Sequence, residues 1–92
     1  MLFKGRVGPW ESHAHCADIY FVQTGEGVIE TGGSIVNAKE VSPGEPRGTA
    51  IQGASRHSVA RGSLIVIPRN VAHHMNPKTL PLAYVLVKVW SE

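Results

Sequence analysis

The chain has only one cysteine and no long apolar run, and each of these shortages excludes a class of protein. Its 92 residues include one cysteine, Cys16, so no internal disulfide can form. This is typical of a reducing compartment. No stretch approaches the length of a membrane span, and the first ten residues contain no signal-peptide core. We therefore expect a cytoplasmic protein with no membrane partner.

The charged residues are also sparse, and they are not clustered. The net charge is +2, and the nine lysines and arginines are scattered singly rather than in a run or a stripe. A nucleic-acid surface would need such a stripe, so we expect no nucleic-acid partner. Neither a Gly-x-Ser-x-Gly nucleophile motif nor a phosphate-binding glycine loop is present. These patterns therefore assign no catalytic nucleophile.

Turn-forming residues are the feature that the chain has in abundance. Ten glycines and six prolines interrupt it so often that no amphipathic helix has room to form. Short runs of Val, Ile, Tyr and Phe lie between them, which is typical of a β-sandwich or β-barrel. We predict one all-β antiparallel domain over residues 1–92, with few or no helices and with an exposed flap at 40–48. The predicted strands are 10–15, 18–23, 27–31, 34–37, 48–52, 56–60, 63–67 and 82–90.

Potential metal ligands are concentrated in the stretch WESHAHCAD, just before the apolar run IYFV. Glu11, His13 and His15 alternate, and Asp18 follows them. Because side chains alternate along a strand, the first three would point to one face, where they could converge on an ion.

A second candidate ligand follows the apolar strand LIVI. Gly62 precedes this strand, Pro68 ends it, and Asn70 and His73 come after it. Asparagine tolerates a positive φ angle, as a tight turn requires. A single histidine here would more often be a surface residue, but together with the first cluster His73 becomes a third corner of a metal site.

These residues resemble the two sequence motifs of the cupin family. The second motif, G-x5-P-x-G-x2-H-x3-N, matches Gly62, Pro68 and His73, with Asn70 in place of a glycine. Its final asparagine would fall on Pro77. The resemblance covers roughly residues 10–90. It implies a jelly-roll barrel that holds a metal ion at its mouth.

The first motif, G-x5-H-x-H-x3-4-E-x6-G, fits the chain in two registers. If His13 and His15 are its two histidines, only two residues separate His15 from Asp18, which is too few. If His13 is the second histidine, Glu11 takes the place of the first, and Asp18 takes the place of the glutamate. The first register offers His13, His15 and His73, and the second offers Glu11, His13, Asp18 and His73. In the second register His15 lies in a turn, from which it could swing toward the ion.

The expected ion is a divalent transition metal, and ligand type alone leaves Fe, Mn, Ni, Zn and Cu open. A set with carboxylates favours iron or manganese. The resemblance implies a metal-dependent enzyme of the dioxygenase, isomerase or lyase type that acts on a small molecule. The alternative is a non-catalytic module that binds a small molecule or a metal. Because cupin domains usually have more chain before the first motif than is present here, we also expect open edges and a homodimer.

Overall fold

The computed structural model describes residues 2–4 and 10–91. Within these ranges the chain forms strands and no helix, so the predicted all-β class with antiparallel sheets is confirmed. The described residues accordingly include no helix that could span a bilayer. The strands are β1 (Leu2–Lys4), β2 (Trp10–Glu11), β3 (Cys16–Thr24), β4 (Glu26–Thr31), β5 (Ser34–Val36), β6 (Lys39–Glu40), β7 (Pro46–Gly48), β8 (Ala50–Gln52), β9 (Ser55–Ala60), β10 (Leu64–Ile67), β11 (His73–Pro77) and β12 (Ala83–Trp90).

Two antiparallel sheets form most of the structure. The four-stranded sheet has the order β1-β12-β3-β10, and the six-stranded sheet has the order β6-β7-β2-β11-β4-β9. Strands β5 and β8 form a separate pair. Consecutive strands often belong to different sheets, as in β2, β3 and β4, and the arrangement fits a jelly-roll sandwich.

The hydrophobic core lies between the two sheets. Strand β3 shows the reason most clearly, because its even-numbered residues from Cys16 to Val22 are buried and the odd-numbered ones are not. This alternation follows from the period of two along a strand. Both sheets contribute to the buried cluster, which comprises Tyr20, Val22, Ile29, Val59, Ile67, Met75, Leu82 and Leu86.

The structure corrects the prediction of a continuous strand over residues 10–15. Strand β2 ends at Glu11, and residues 12–15 lead from the six-stranded sheet to the start of β3 in the other sheet. The backbone N–H of Ser12 donates to Pro46 O at 3.4 Å, and that of Ala14 donates to Gly44 O at 2.8 Å. Glu11 and His13 still point to the same side, as alternation predicts, but His15 is exposed, so the alternation does not continue to residue 15.

The structure also corrects the predicted flap at 40–48, whose two ends are strands. Strands β6 and β7 pair with each other, and β7 pairs with β2. The turn between them is closed by a hydrogen bond from Val41 N to Glu45 O of 3.0 Å. Proline and glycine were interpreted as strand breakers here, although both lie in β7. Strand β11 (His73–Pro77) is not among the predicted strands, although all five of its residues pair with β4.

Candidate metal centre

Four potential metal ligands meet between the two sheets. Strand pairing places Glu11 of β2 directly opposite His73 of β11 in the six-stranded sheet. The four-stranded sheet contributes Asp18 of β3, which lies on the inward-facing side of its strand. His13 comes from the segment that leads from one sheet to the other. Two sheets and the connection between them thus supply the four side chains.

Histidines and carboxylates alternate around the centre. His13 Nε2 lies 3.1 Å from Asp18 Oδ2 and 3.5 Å from Glu11 Oε1. His73 Nε2 lies 3.3 Å from Asp18 Oδ2 and 3.4 Å from Glu11 Oε1. One donor atom from each of the four residues therefore lies within 4.8 Å of the other three. We call these four residues the ligand ring.

The spacing of the ligand ring suits a transition metal ion. With metal–donor distances of about 2.1 Å, adjacent donors are about 3.0 Å apart in an octahedron and about 3.4 Å apart in a tetrahedron. The four neighbouring distances in the ring run from 3.1 to 3.5 Å. Asp18 Oδ2 and His73 Nε2 are buried and have no hydrogen-bond partner outside the ligand ring within the described part of the chain. Buried polar atoms need a partner, and either protons held between the atoms of the ring or a coordinated ion would satisfy both.

In each histidine of the ligand ring, Nδ1 points away from the centre and contacts a hydrogen-bond acceptor. His13 Nδ1 lies 2.7 Å from Glu45 Oε1, and His73 Nδ1 lies 3.0 Å from the carbonyl oxygen of Val71. Each acceptor keeps a proton on Nδ1, so Nε2 is the atom that presents its lone pair to the centre. This is the usual orientation of a histidine that binds a metal.

The outer oxygen of each ring carboxylate is paired with a cation. Lys88 Nζ donates to Asp18 Oδ1 at 2.9 Å, and Arg47 Nε donates to Glu11 Oε2 at 3.1 Å. Both cations lie on strands that pair with the strand of their carboxylate. Only one oxygen of each carboxylate is left to face the centre. Every member of the ligand ring is thus fixed from outside.

A backbone contact joins the segments that carry the two sequence motifs. The N–H of Asn70 donates to the carbonyl oxygen of His13 at 2.7 Å. Asn70 has a φ of 65°, the left-handed conformation expected for the motif position that it shares with glycine. This turn therefore fixes the position of His13 relative to His73, three residues further on.

The environment of the two ring carboxylates keeps them ionised. Burial alone would raise the pKa of the Glu11 and Asp18 carboxyls. Hydrogen bonds to His13 and His73 outweigh this effect and lower both pKa values below their usual range. Lys88 lowers the pKa of Asp18 further. The centre therefore carries two negative charges over a wide pH range.

The two ring histidines respond in the opposite direction. The hydrogen bond to Asp18, with a second to Glu11, raises the pKa of His13 to about 10. Burial would lower the pKa of His73, but Asp18 and Glu11 outweigh it, so the pKa of His73 is also raised. Without a metal ion, protons on the imidazoles balance the carboxylates. A divalent cation would compete with these protons for the same nitrogens.

The four clustered residues are those of the second register of the first motif. His15, which the first register requires, is exposed and lies outside the ligand ring. Its position follows from the bend at residues 14 and 15, because the alternation that puts Glu11 and His13 on one side ends there. His57, which the sequence places in a surface hairpin, is also exposed.

A prediction follows for the residues over which the two registers differ. Glu11→Gln and Asp18→Asn each remove a charge from the ligand ring, and we expect each to weaken metal binding at least tenfold. His15→Ala should leave the affinity within about twofold, because this side chain does not face the centre. Isothermal titration of the metal-free proteins measures all three. A loss on replacing His15, without a loss on replacing Glu11, would contradict the second register.

Three residues that hold the ligand ring were not identified from the sequence. Lys88 is the one charged residue in the strand AYVLVKVW. It lies two residues from the buried Leu86 and therefore on the inward side of the strand, which could have identified it as a partner for a buried carboxylate. Arg47 lies in the segment predicted as an exposed flap, although it contacts both Glu11 and Glu45, the latter at 3.1 Å. Glu45 lies in the β6–β7 turn, and no local pattern indicates that it contacts His13.

Comparison with known proteins adds no further assignment. No family model matches this chain, and no curated protein matches it.

Proposed function

We propose that this chain is a small metal-binding protein of the cupin type, which holds one divalent transition metal in the ligand ring of Glu11, His13, Asp18 and His73. One observation carries the proposal. Four donor atoms from both sheets converge at 3.1 to 3.5 Å, and the other polar atom of each side chain is held elsewhere. A chance cluster of surface residues would not have this second layer of contacts.

The donor set narrows the choice of metal. Two imidazole nitrogens and two carboxylate oxygens suit iron or manganese better than copper, and no thiolate is among the donors. The buried Cys16 lies on the same strand face as Asp18, with its Sγ 3.9 Å from Asp18 Oδ1. Burial raises the pKa of its thiol, which disfavours the thiolate that would bind a metal.

The activity that we propose is metal-dependent chemistry on a small molecule, of the dioxygenase, isomerase or lyase type. A bound metal would supply Lewis acidity or, for iron, reactivity toward dioxygen. The residues around it give the site a net positive charge once loaded. In the loaded site both imidazoles are neutral, so the two cations Lys88 and Arg47, the three carboxylates beside them and the divalent ion sum to +1. A small anionic ligand would be attracted to such a site.

A non-catalytic binding module is the second candidate, and the burial of the ring favours it. The side chains of His13, Asp18 and His73 are exposed by 4%, 0% and 2%, while that of Glu11 is exposed by 26%. Solvent therefore reaches the ring past Glu11. Four protein ligands with little access are typical of a structural ion, whereas a catalytic ion keeps an open position.

The proposal is tested by the metal content of the protein, purified without a metal-affinity tag. We expect about one equivalent of iron or manganese per chain by plasma mass spectrometry. After chelation, one equivalent of the same metal should bind again. A content below about one-tenth of an equivalent, with no rebinding of any of the five candidate metals, would refute the proposal.

Nitric oxide separates the catalytic candidate from the non-catalytic one. As a small probe that binds ferrous iron, it should give a new paramagnetic resonance signal from the iron-loaded protein if a coordination position is open. A loaded protein without this signal would have a closed site. That outcome would leave the metal-binding proposal intact and support the non-catalytic module.

A further inference from the structure

The outer face of the four-stranded sheet is apolar across three of its strands, β10, β3 and β12. Strand pairing places Phe21 between Leu64 and Val85, and Ile19 between Val66 and Val87. Side chains opposite each other on one sheet face are about 5 Å apart, so these rows are continuous. We call this surface the outer patch, and it consists of Ala17, Ile19, Phe21, Leu64, Val66, Val85, Val87 and Val89.

Much of the outer patch is accessible to solvent. Five of its members are exposed by 44 to 63%, namely Phe21, Leu64, Val66, Val87 and Val89. A strand with one buried and one solvated face normally alternates apolar with polar residues. Strand β3 does not alternate in this way over residues 17–21, because Ala17, Ile19 and Phe21 on its outward side are all apolar, and the polar Gln23 comes only near the end of the strand. Over residues 17–21 the outward side has the composition of a buried face.

We propose that the outer patch is the interface between two copies of this chain, which pack these sheets face to face about a twofold axis. A symmetric interface needs one surface that complements itself, and an uncharged sheet face meets this condition. No charged side chain lies in the patch. The residues that give each copy its net charge of +2 therefore lie outside the patch, and pairing two patches does not place like charges against each other.

The size of the outer patch supports a second copy as the partner. With strands about 4.8 Å apart and a rise of about 3.3 Å per residue, the patch with its side chains covers about 350 Å². A stable interface buries about 800 Å² on each partner. This area typically consists of an apolar centre surrounded by a polar rim. The patch is large enough to be that centre. It also supplies the additional buried surface that a chain of this size lacks when alone.

Lysine substitutions on the outer patch test the proposal in the full-length, metal-loaded protein. We expect the wild type to sediment at about twice its 9.9 kDa chain mass at micromolar concentration. Val87→Lys and Val66→Lys, on two different strands, should each raise the dimer dissociation constant at least tenfold, because each would bury charges at the centre of the interface. Since both side chains point outward, the near-ultraviolet circular dichroism of each variant should be unchanged.

Leu80→Lys is the matched control. Leu80 is 79% exposed and lies in the loop before β12, outside the patch, and the change adds the same charge. This variant should remain a dimer. A monomeric wild type would overturn the proposal, and so would a dimer that both patch variants leave intact. A monomer that binds neutral phosphatidylcholine vesicles, and loses this binding in Val87→Lys, would identify a lipid surface as the partner instead.

Discussion

Replacing His73 with glutamine abolishes metal binding, and this is one of the two largest effects that we expect. His73 supplies Nε2 to the ligand ring and lies on the strand directly opposite Glu11. Glutamine keeps most of the volume and a hydrogen-bonding group, so the core around it should remain filled. The three remaining donors are held by their own outer contacts and cannot move to restore the coordination. We expect His13→Gln to behave in the same way.

Thermal unfolding measures the size of this effect. A ligand that is present at 100 times its dissociation constant stabilises the folded state by about 2.7 kcal/mol. For a domain of this length, 1 kcal/mol changes the melting temperature by about 4–8 °C. The wild type should therefore melt about 10–20 °C higher with the metal than with a chelator. The His73→Gln variant should show a difference below about 2 °C.

His74→Gln is the matched control, because it makes the same change on the neighbouring residue of β11. The side chain of His74 stacks on Trp10 with the ring centroids 4.5 Å apart, and it lies outside the ligand ring. This variant should keep the metal-dependent rise in melting temperature, as should His57→Ala on the surface. A rise in His73→Gln equal to that of the wild type would place the metal elsewhere and refute the proposed centre.

The fold was predictable where apolar residues recur periodically or where turn-forming residues occur. It was not predictable where a segment becomes a strand only through pairing with distant strands. The runs IYFV and LIVI and the glycine-rich turns predicted β3, β10 and their neighbours because apolar periodicity is a local signal. Strand β7 contains Pro46 and Gly48, which a local reading treats as breakers. It is a strand because it pairs with β2, which is far from it in sequence, and with β6, which has only two residues. Neither partner leaves a local signal in the sequence of β7.

The sequence predicted the candidate ligands of the centre, but it did not decide which of them face the ion. Motif spacing gave Glu11, His13, Asp18 and His73 as one register, and His15 as part of the other. Choosing between them requires the place where the alternation ends, which is the bend at residues 14 and 15, where the N–H of Ala14 donates to Gly44 O in the β6–β7 hairpin. Contacts between distant segments of this kind leave no local pattern in the sequence.

The second large effect is the release of protons when the metal binds. Near pH 7 His13 carries an extra proton in the metal-free protein, since its pKa is raised to about 10, and the raised pKa of His73 favours a proton there as well. The ion needs both nitrogens in the neutral form. One divalent cation therefore displaces the proton of His13 together with the fraction of a proton that His73 holds.

Stability of the metal-free protein should depend on pH with a definite sign. The raised pKa of His13 stabilises the folded state fully below its unfolded value of 6.5, and this stabilisation is lost as the pH rises toward about 10. The lowered pKa values of Asp18 and Glu11 stabilise it above their unfolded values of 3.8 and 4.5, and this is lost as the pH falls below them. With a chelator present, urea unfolding should therefore show maximal stability between about pH 5 and 6.5.

Calorimetric titration near pH 7 measures the proton release directly. When the metal is titrated in buffers of different ionisation enthalpy, we expect more than one proton released per ion, and an apparent affinity that rises more than tenfold for each pH unit. With both histidines at their ordinary pKa near 6.5, fewer than one proton in total would be released at pH 7. Asp18→Asn removes the carboxylate that raises the pKa of both histidines most strongly, so its residual metal binding should release fewer protons than that of the wild type. A release below one proton in the wild type would contradict the protonated His13 of the metal-free centre, because Asp18 and Glu11 would then lack the positive charge that this imidazole supplies in the absence of a metal.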